Sequence, residues 1–291
     1  MPELPEVETI TRQLEKVLVG HKIVGVEVKH PKSFRGDKSK IVGQKITGMR
    51  RRAKMMMVAL ANGYFVLVHL KMTGQVIYRN GKKNVAGGHP TRSTSSGRAA
   101  DWVGELPSRH TRVIVNLDNG AKLFFNDQRI FGWMKVVTRE GLERELKNYG
   151  LDIIDETVTG DYFYSMLQKS RRAVKLVITD QVKIAGVGNI YANDGLWCAG
   201  IDPRREANKI NKQESDKLLT CLRQVINAGI KYGGATASDD NYVNASGLGG
   251  KYQEHFLVYE RVGAKCHGCK SIIVKTKLGG RGTYFCPECQ R

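Results

Sequence analysis

No stretch of this 291-residue chain approaches the roughly 18 uninterrupted apolar residues that a membrane span requires, and the N-terminus lacks the basic-then-apolar order of a signal peptide. These absences place the expected protein in the cytoplasm, away from membranes. No internal repeat is evident. Acidic residues are scarce: 28 Asp and Glu stand against 47 Lys and Arg, giving a net charge of +19 and a pI near 9.7. An excess of this size points to a polyanionic partner, most often nucleic acid. A membrane surface is the weaker candidate, because the basic residues are spread among short clusters such as Arg50-Arg51-Arg52 and Arg171-Arg172 instead of one amphipathic helix or lysine tract. Either cluster alone is also what a solvated face looks like. With 41% hydrophobic and 26% charged residues, the chain has a soluble composition and the length for two domains with real cores.

Cysteine is equally sparing, and four of the six are concentrated at the C-terminus: Cys266-x2-Cys269, sixteen intervening residues, then Cys286-x2-Cys289. Each C-x2-C pair bends to present two thiolates to one tetrahedral ion, so the spacing predicts one structural Zn2+ and not disulfides. The intervening residues suit a β-hairpin, with Ile272, Ile273 and Val274 before the Gly279-Gly280 turn and Tyr284-Phe285 after it. Four thiolates leave no open position for catalysis. His267 lies inside the first knuckle as a bystander, and Cys198 and Cys221, in apolar context, read as free core thiols.

The chain begins Met1-Pro2-Glu3-Leu4-Pro5-Glu6. Cleavage of Met1 would leave a proline with a free secondary amine beside a carboxylate. A secondary amine attacking a sugar C1′ gives an iminium ion that is cationic at any pH, an electron sink for later bond breaking. In isolation, a Met-Pro start more often only shapes an N-terminal arm. Val7, Ile10, Leu14, Val17 and Leu18 then recur at helical spacing and Gly20 ends the pattern, which places the amine just before a helix N-terminus.

Alternating segments follow at Val24-x-Val26-x-Val28, Met55 to Leu60 and Tyr64 to Leu70. A hairpin is signalled by Val113 to Leu117, Asp118-Asn119-Gly120 and Lys122 to Phe125. This half is expected to be a β-sandwich. Residues 81 to 109 carry no periodicity and read as a long surface loop. From about residue 140 the pattern turns helical, and its clearest helix carries Leu218, Leu219, Leu222, Val225, Ile226 and Ile230 before Gly233-Gly234. Gly186-Val187-Gly188-Asn189 is suited to a tight turn whose N–H groups face a phosphate, although Gly-x-Gly-Asn is also a common helix-ending turn. Asp239 to Gly250 reads as a mobile loop before a final strand, Phe256 to Tyr259.

Taken in order, six motifs resemble the bacterial formamidopyrimidine-DNA glycosylases of the Fpg/Nei family of base-excision repair enzymes. They are Pro2 to Glu8, Arg52-Ala53-Lys54, His69-Leu70-Lys71-Met72-Thr73-Gly74, Asp127-Gln128-Arg129-Ile130-Phe131-Gly132, Ala185 to Ala192, and the cysteine ribbon with Gly280-Arg281-Gly282-Thr283. The resemblance implies an α+β multidomain fold. Its parts would be an N-terminal β-sandwich flanked by helices over 1–139, a helix-two-turns-helix DNA-binding domain over 140–255, and a zinc ribbon over 256–291. It implies Pro2 as the Schiff-base nucleophile, Glu3 as the acid at the deoxyribose ring oxygen, Lys54 as a proton donor in β-elimination and Arg281 as the arginine of the δ-elimination step.

It also implies that Lys54, His69, Asn189 and Arg281 grip the phosphates flanking a lesion, and that Met72, Arg129 and Phe131 form the wedge that fills the space a flipped base leaves. His110, Arg171 and Lys175 match further DNA contacts. For Lys54 the plainer alternative is a surface lysine, and for Met72 and Phe131 it is core packing at a strand end. The sequence departs from the family pattern at Gln128 and Ile130, where proline and a second arginine are usual, at Asn193-Asp194, and at Glu260. Orphan-base preference is the property that Gln128 and Ile130 put in doubt, whereas Asn193-Asp194 and Glu260 sit beside the chemistry, so activity is expected to survive them. The expectation is a monomeric glycosylase and AP lyase for oxidised purines in duplex DNA. An endonuclease VIII-like enzyme for oxidised pyrimidines, or a zinc-ribbon DNA-binding protein without catalysis, are the alternatives.

Overall fold

The computed structural model describes residues 1–81, 83–88, 106–235 and 250–291, which fall into two compact units. The first comprises 1–147 and 232–251, the second 148–231 and 252–291. In the first unit, helix α1 (Leu4–Leu18) starts at Glu3, whose side chain caps the helix while the Glu6 side chain accepts from the Glu3 N–H. This reciprocal box satisfies two of the N–H groups that a helix start leaves open, and Pro5 in the first turn removes a third. Leu4, Val7, Ile10, Leu14 and Leu18 form the buried stripe.

Ten strands follow: β1 (Ile23–Val28), β2 (Phe34–Arg35), β3 (Ile46–Arg52), β4 (Met55–Leu60), β5 (Phe65–His69), β6 (Gly74–Asn80), β7 (Lys83–Gly88), β8 (Thr111–Leu117), β9 (Lys122–Asp127) and β10 (Trp133–Val137). They make two five-stranded sheets, ordered β1-β8-β9-β6-β7 and β2-β10-β5-β4-β3. All pairs are antiparallel except β10 with β2. Alternate residues such as Met56, Val58, Val66 and Val68 from one sheet and Val76, Val113, Val115 and Phe125 from the other close a shared core with the α1 stripe. The expected sandwich is present.

The loop expected over 81–109 instead opens with β7, paired along β6 from Asn80↔Lys83 to Gln75↔Gly88. Gly87 hid this strand from the sequence pattern. It is needed for close approach, since a Cβ there would lie 2.3 Å from Ile10 Cγ1 of α1. Residues 89–105, and 236–249 of the second expected loop, lie outside the described residues.

Helix α2 (Arg139–Leu146) closes the first unit. The second holds β11 (Leu151–Asp152), α3 (Gly160–Gln168), α4 (Val174–Ile178), β12 (Ile184–Ala185), α5 (Asn189–Ala199), α6 (Lys212–Lys231), and the hairpin β13 (Val274–Leu278) with β14 (Arg281–Phe285). Two expectations are corrected here. Cys198 and Cys221 are not free thiols: α5 and α6 pack closely enough to bring their Cα atoms to 5.7 Å, and the two are disulfide-bonded. Apolar context alone did not show that each faced the other across a helix pair. Phe256 to Tyr259 is not a strand either, because the N–H groups of Val258 and Tyr259 donate to Asp194 Oδ1, at 3.0 and 3.1 Å, instead of to a neighbouring strand.

Candidate nucleic-acid interface and catalytic residues

Pro2 and Glu3 are both buried at the start of α1, with Glu3 4% exposed. Glu6 fixes this end of the helix, its Oε2 accepting from the Glu3 N–H at 2.7 Å and its Oε1 from the Ala235 N–H at 2.8 Å. With Met1 in place the Pro2 nitrogen is an amide, and removal of Met1 creates the amine.

The β3–β4 turn carries Lys54. Ala53 before it sits in the left-handed region at φ 54°, and Lys54 is only 4% exposed, so it is not a plain surface lysine. Arg51 connects the turn to α1: its guanidinium donates to Glu8 Oε2 at 2.8 Å and to the Ala53 carbonyl at 2.9 Å. Burial alone would push the Glu8 carboxyl up. The hydrogen bonds and charges of Arg51 and Arg12 outweigh that and hold it below the usual range.

The strand register brings several loops to the same end of the sandwich as Lys54. Met56 pairs with Val68, Trp133 with His69, and Gly74 with Asp127, so the 53–54 turn, the 70–73 turn and the 128–132 loop lie together. His69 ends β5. Its Nδ1 accepts the Lys71 N–H at 3.0 Å, which leaves the proton on Nε2. Burial pulls its pKa down to about 3, with the Lys71 and Lys54 cations adding to the effect.

Met72 and Phe131 project from the two adjoining loops, 43% and 52% exposed. Core packing is therefore not their role. The Arg129 guanidinium lies 4.8 Å from the centre of the Phe131 ring, and one of its N–H groups points to Met72 Sδ at 3.5 Å. The three side chains are already assembled as one projecting group. Lys71 and Ile130, at φ 51° and 57°, flank them in left-handed conformations that side chains adopt at a cost. His110 lies half-buried in the turn before β8, with its Nε2 accepting from Arg109 Nε at 3.1 Å.

In the second unit, Arg171 and Arg281 are exposed, the latter at the hairpin turn. Asn189 opens α5 directly after the glycine turn, so that turn starts a helix and does not end one. Its Nδ2 donates to the Gly282 carbonyl at 3.2 Å. Lys175, expected among the DNA contacts, is only 2% exposed: its ammonium donates to the Gly282 carbonyl at 2.9 Å and to Thr283 Oγ1 at 2.8 Å. It braces the hairpin that presents Arg281. Asn193, one of the departures from the family pattern, accepts from the Tyr284 N–H at 2.9 Å on the same strand. The bracing by Lys175 and Asn193, the Arg51 strut and the Glu6 clasp were not visible in the sequence, because each depends on a partner far along the chain.

The four ribbon cysteines converge, with all four Sγ atoms within 4.8 Å of one another. Zn–S bonds of about 2.3 Å put tetrahedral sulfurs about 3.8 Å apart, and the Cys266–Cys289 and Cys269–Cys286 separations are 3.7 and 3.4 Å. The Gly268 N–H and the Trp197 indole N–H point at Cys266 Sγ, from 3.4 and 3.2 Å, as donors to a thiolate. The ribbon binds one structural Zn2+, and His267 lies outside the cluster.

Three family models match the chain: the formamidopyrimidine-DNA glycosylase N-terminal domain over 1–134, the formamidopyrimidine-DNA glycosylase H2TH domain over 149–241, and the zinc finger found in FPG and IleRS over 263–291. A formamidopyrimidine-DNA glycosylase of Pelotomaculum thermopropionicum is 38% identical, over 100% of this chain and 99% of that protein. The chain belongs to the formamidopyrimidine-DNA glycosylase family. The Listeria monocytogenes member is 33% identical over the full length of both chains. Among solved structures, the Lactococcus lactis enzyme in complex with DNA containing an abasic site matches at a TM-score of 0.84, with 29% identity and 100% coverage of both chains. The Thermus thermophilus enzyme matches at 0.83, with 32% identity over 99% of this chain and 98% of that one.

Within this family framework the state of His69 has a measurable consequence. A folded pKa near 3 against about 6.5 in the unfolded chain means that the unfolded state takes up the proton first as pH falls. The neutral ring's contribution is therefore complete above about pH 6.5 and is lost toward pH 3. Urea unfolding of the first unit, compared between the parent and His69→Gln, should show the parent losing about 2.5 kcal/mol more between pH 7 and 4.5. Equal losses in the two proteins would mean that His69 is charged in the fold. The comparison cancels acid effects that the two proteins share, including protonation of the zinc thiolates.

Proposed function

We propose that this protein is a base-excision repair glycosylase and AP lyase that removes oxidised purines, 8-oxoguanine and formamidopyrimidines, from duplex DNA. The observation that carries the reading is the exposed, preassembled Met72, Arg129 and Phe131 group at the sandwich end that also holds Lys54 and His69. An exposed thioether and aromatic ring gathered under one guanidinium on adjoining loops are chemically suited to enter a base stack. Support also comes from the Pelotomaculum thermopropionicum relative, named a formamidopyrimidine-DNA glycosylase, and from the Lactococcus lactis enzyme, solved with DNA containing an abasic site and, as a mutant, with DNA containing Fapy-dG.

In the proposed course, His69 donates its neutral Nε2–H to a backbone phosphate, and Lys54, Asn189 and Arg281 add charge and N–H donors. His110 and Arg171 contact the duplex further from the lesion, while Lys175 acts through the Arg281 hairpin. The wedge replaces the extruded nucleotide, with the Arg129 guanidinium toward the orphaned base.

The Pro2 nitrogen then attacks C1′. The glycosidic bond breaks with its electron pair leaving on the base, and Glu3 protonates O4′ as the sugar ring opens. The resulting iminium acidifies C2′. Loss of a C2′ proton expels the 3′ phosphate, and a second elimination expels the 5′ phosphate, leaving a one-nucleotide gap. Zinc holds the Arg281 hairpin and takes no part in bond making. The working unit is a cytoplasmic monomer, with a catalytic sandwich over 1–139, a helical DNA-binding part over 140–255 and the ribbon over 256–291.

Borohydride trapping on duplexes with 8-oxoguanine opposite cytosine, alongside an oxidised-pyrimidine duplex, tests this directly. An adduct mapped to Pro2 on the 8-oxoguanine duplex is the expected result. Trapping on the pyrimidine lesion alone would transfer the protein to the endonuclease VIII branch, and binding with no adduct on either would make it a non-catalytic lesion binder.

A further inference from the structure

The wedge residues sit on two separate loops, and a buried carboxylate accepts hydrogen bonds from both. Asp127, at the end of β9, is fully buried. Its Oδ1 accepts from the hydroxyl of Thr73, on the Met72 loop, and from the Arg129 N–H at 3.1 Å. Its Oδ2 accepts from the Gly132 N–H at 2.6 Å, on the far side of Phe131. Thr73 Oγ1 in turn accepts from the same Arg129 N–H at 3.1 Å, so the hydroxyl both gives to the carboxylate and receives from the other loop.

The loops pack closely at this point. A Cβ on Gly132 would stand 3.0 Å from both the His69 and Leu70 carbonyl oxygens and 2.9 Å from Phe125 Cζ. Between the two glycine- and aspartate-anchored ends, Ile130 is held at φ 57°, a conformation a β-branched residue adopts only when its surroundings impose it.

We infer that Asp127, with Thr73, is a positioning residue for base extrusion: it locks the Met72 loop to the Arg129–Phe131 loop so that the wedge enters the stack as one rigid body. It touches neither sugar nor base. A wedge whose order is already imposed loses less conformational freedom on entering the duplex, and that advantage is felt only where a stacked base has to be displaced. A preformed abasic site presents no base to displace. The inference rests on reading the trio as the wedge of a glycosylase.

Three variants test it on two substrates. Asp127→Asn keeps the shape but surrenders one acceptor, Thr73→Val removes the hydroxyl that links the loops, and Thr73→Ser retains it. On an 8-oxoguanine duplex, Asp127→Asn and Thr73→Val are expected to lose about tenfold or more in single-turnover base excision. On an abasic-site duplex their borohydride trapping and strand cleavage should stay within about threefold of the parent, with Thr73→Ser close to the parent on both. Equal losses on the two substrates would reduce Asp127 to a residue that merely keeps the sandwich folded. Parent-like rates for both Asp127→Asn and Thr73→Val on 8-oxoguanine would show that the loops need no lock. If the parent itself neither excises 8-oxoguanine nor is trapped at Pro2, it is the glycosylase reading that fails, before the variants are compared.

Discussion

Glu3→Gln is expected to lower strand cleavage on an 8-oxoguanine duplex by at least about 10²-fold, the usual scale for removing a positioned general acid. The substitution is chosen because it leaves the fold alone. Glu3 caps α1, and a glutamine side-chain oxygen can accept the same backbone N–H, so the helix start, its Glu6 partner and the Ala235 clasp all persist. What disappears is the proton for O4′. The fall should therefore come in single-turnover rate with duplex affinity nearly unchanged, since Glu3 is buried and is not one of the phosphate-holding residues. Pro2→Gly provides the companion result. It retains an α-amine, but its imine is cationic only while protonated, whereas the proline iminium carries its charge at every pH. Cleavage by Pro2→Gly is expected to be weaker and to decline as pH rises where the parent does not. A Glu3→Gln protein that cleaves at the parent rate would remove Glu3 from the mechanism, and a Pro2→Gly protein with parent rates across pH would remove Pro2.

The strands and helices were legible in the sequence wherever one face met a core. Apolar runs and alternation marked β4, β5, β8 and β9, and 3.6-residue spacing marked α1 and α6, because each meets a core along its length. In β1 the expected Val24, Val26 and Val28 face is broken by the irregularity between Ile23 and Gly25, which leaves Val24 53% exposed while Ile23 and Val26 are buried. β7 was hidden where Gly87 trades a side chain for contact with Ile10. The Phe256 to Tyr259 run looked like a strand because apolar and aromatic residues are compatible with one. Its backbone is claimed by Asp194, a carboxylate so buried that its pKa is pushed up to about 6, and that partner is more than 60 residues away in sequence. The same limit applies to the site. Pro2, Glu3, the wedge and the zinc thiolates announce themselves by side-chain chemistry at short spacing. The groups that fix their geometry, Glu6, Arg51, Asp127 and Lys175, are ordinary charged residues until the fold supplies their partners. Lys175 shows the consequence: a motif match aligned it with DNA contacts, while its ammonium is spent on Gly282 and Thr283.

Removing the zinc should have an effect as large as removing the acid, by a different route. The ribbon's core is small, built around Val258, Cys266, Ile273, Tyr284 and Cys286, and two of these five are themselves metal ligands. A cluster of this size does not fold on apolar burial alone, and the binding free energy of a structural zinc is its folding free energy. Without the ion the four thiolates within 4.8 Å repel one another or take up protons, and either outcome opens the knuckles. The hydrogen bonds described from Lys175, Asn189 and Asn193 fall on one strand of the hairpin, from Gly282 to Tyr284, so they brace β14 and leave the cysteine knuckles to the metal. Chelation, or Cys286→Ser, is therefore expected to abolish cleavage on 8-oxoguanine and abasic duplexes alike, in contrast to the selective loss predicted for Thr73→Val. Trp197 offers an internal reporter, since its indole N–H faces Cys266 Sγ at 3.2 Å and its emission should shift as the ribbon opens. The sandwich should keep its own unfolding transition through the treatment, and added Zn2+ should restore both emission and cleavage to the chelated protein. Full cleavage by protein shown to be free of zinc would mean that the hairpin is held by its braces alone.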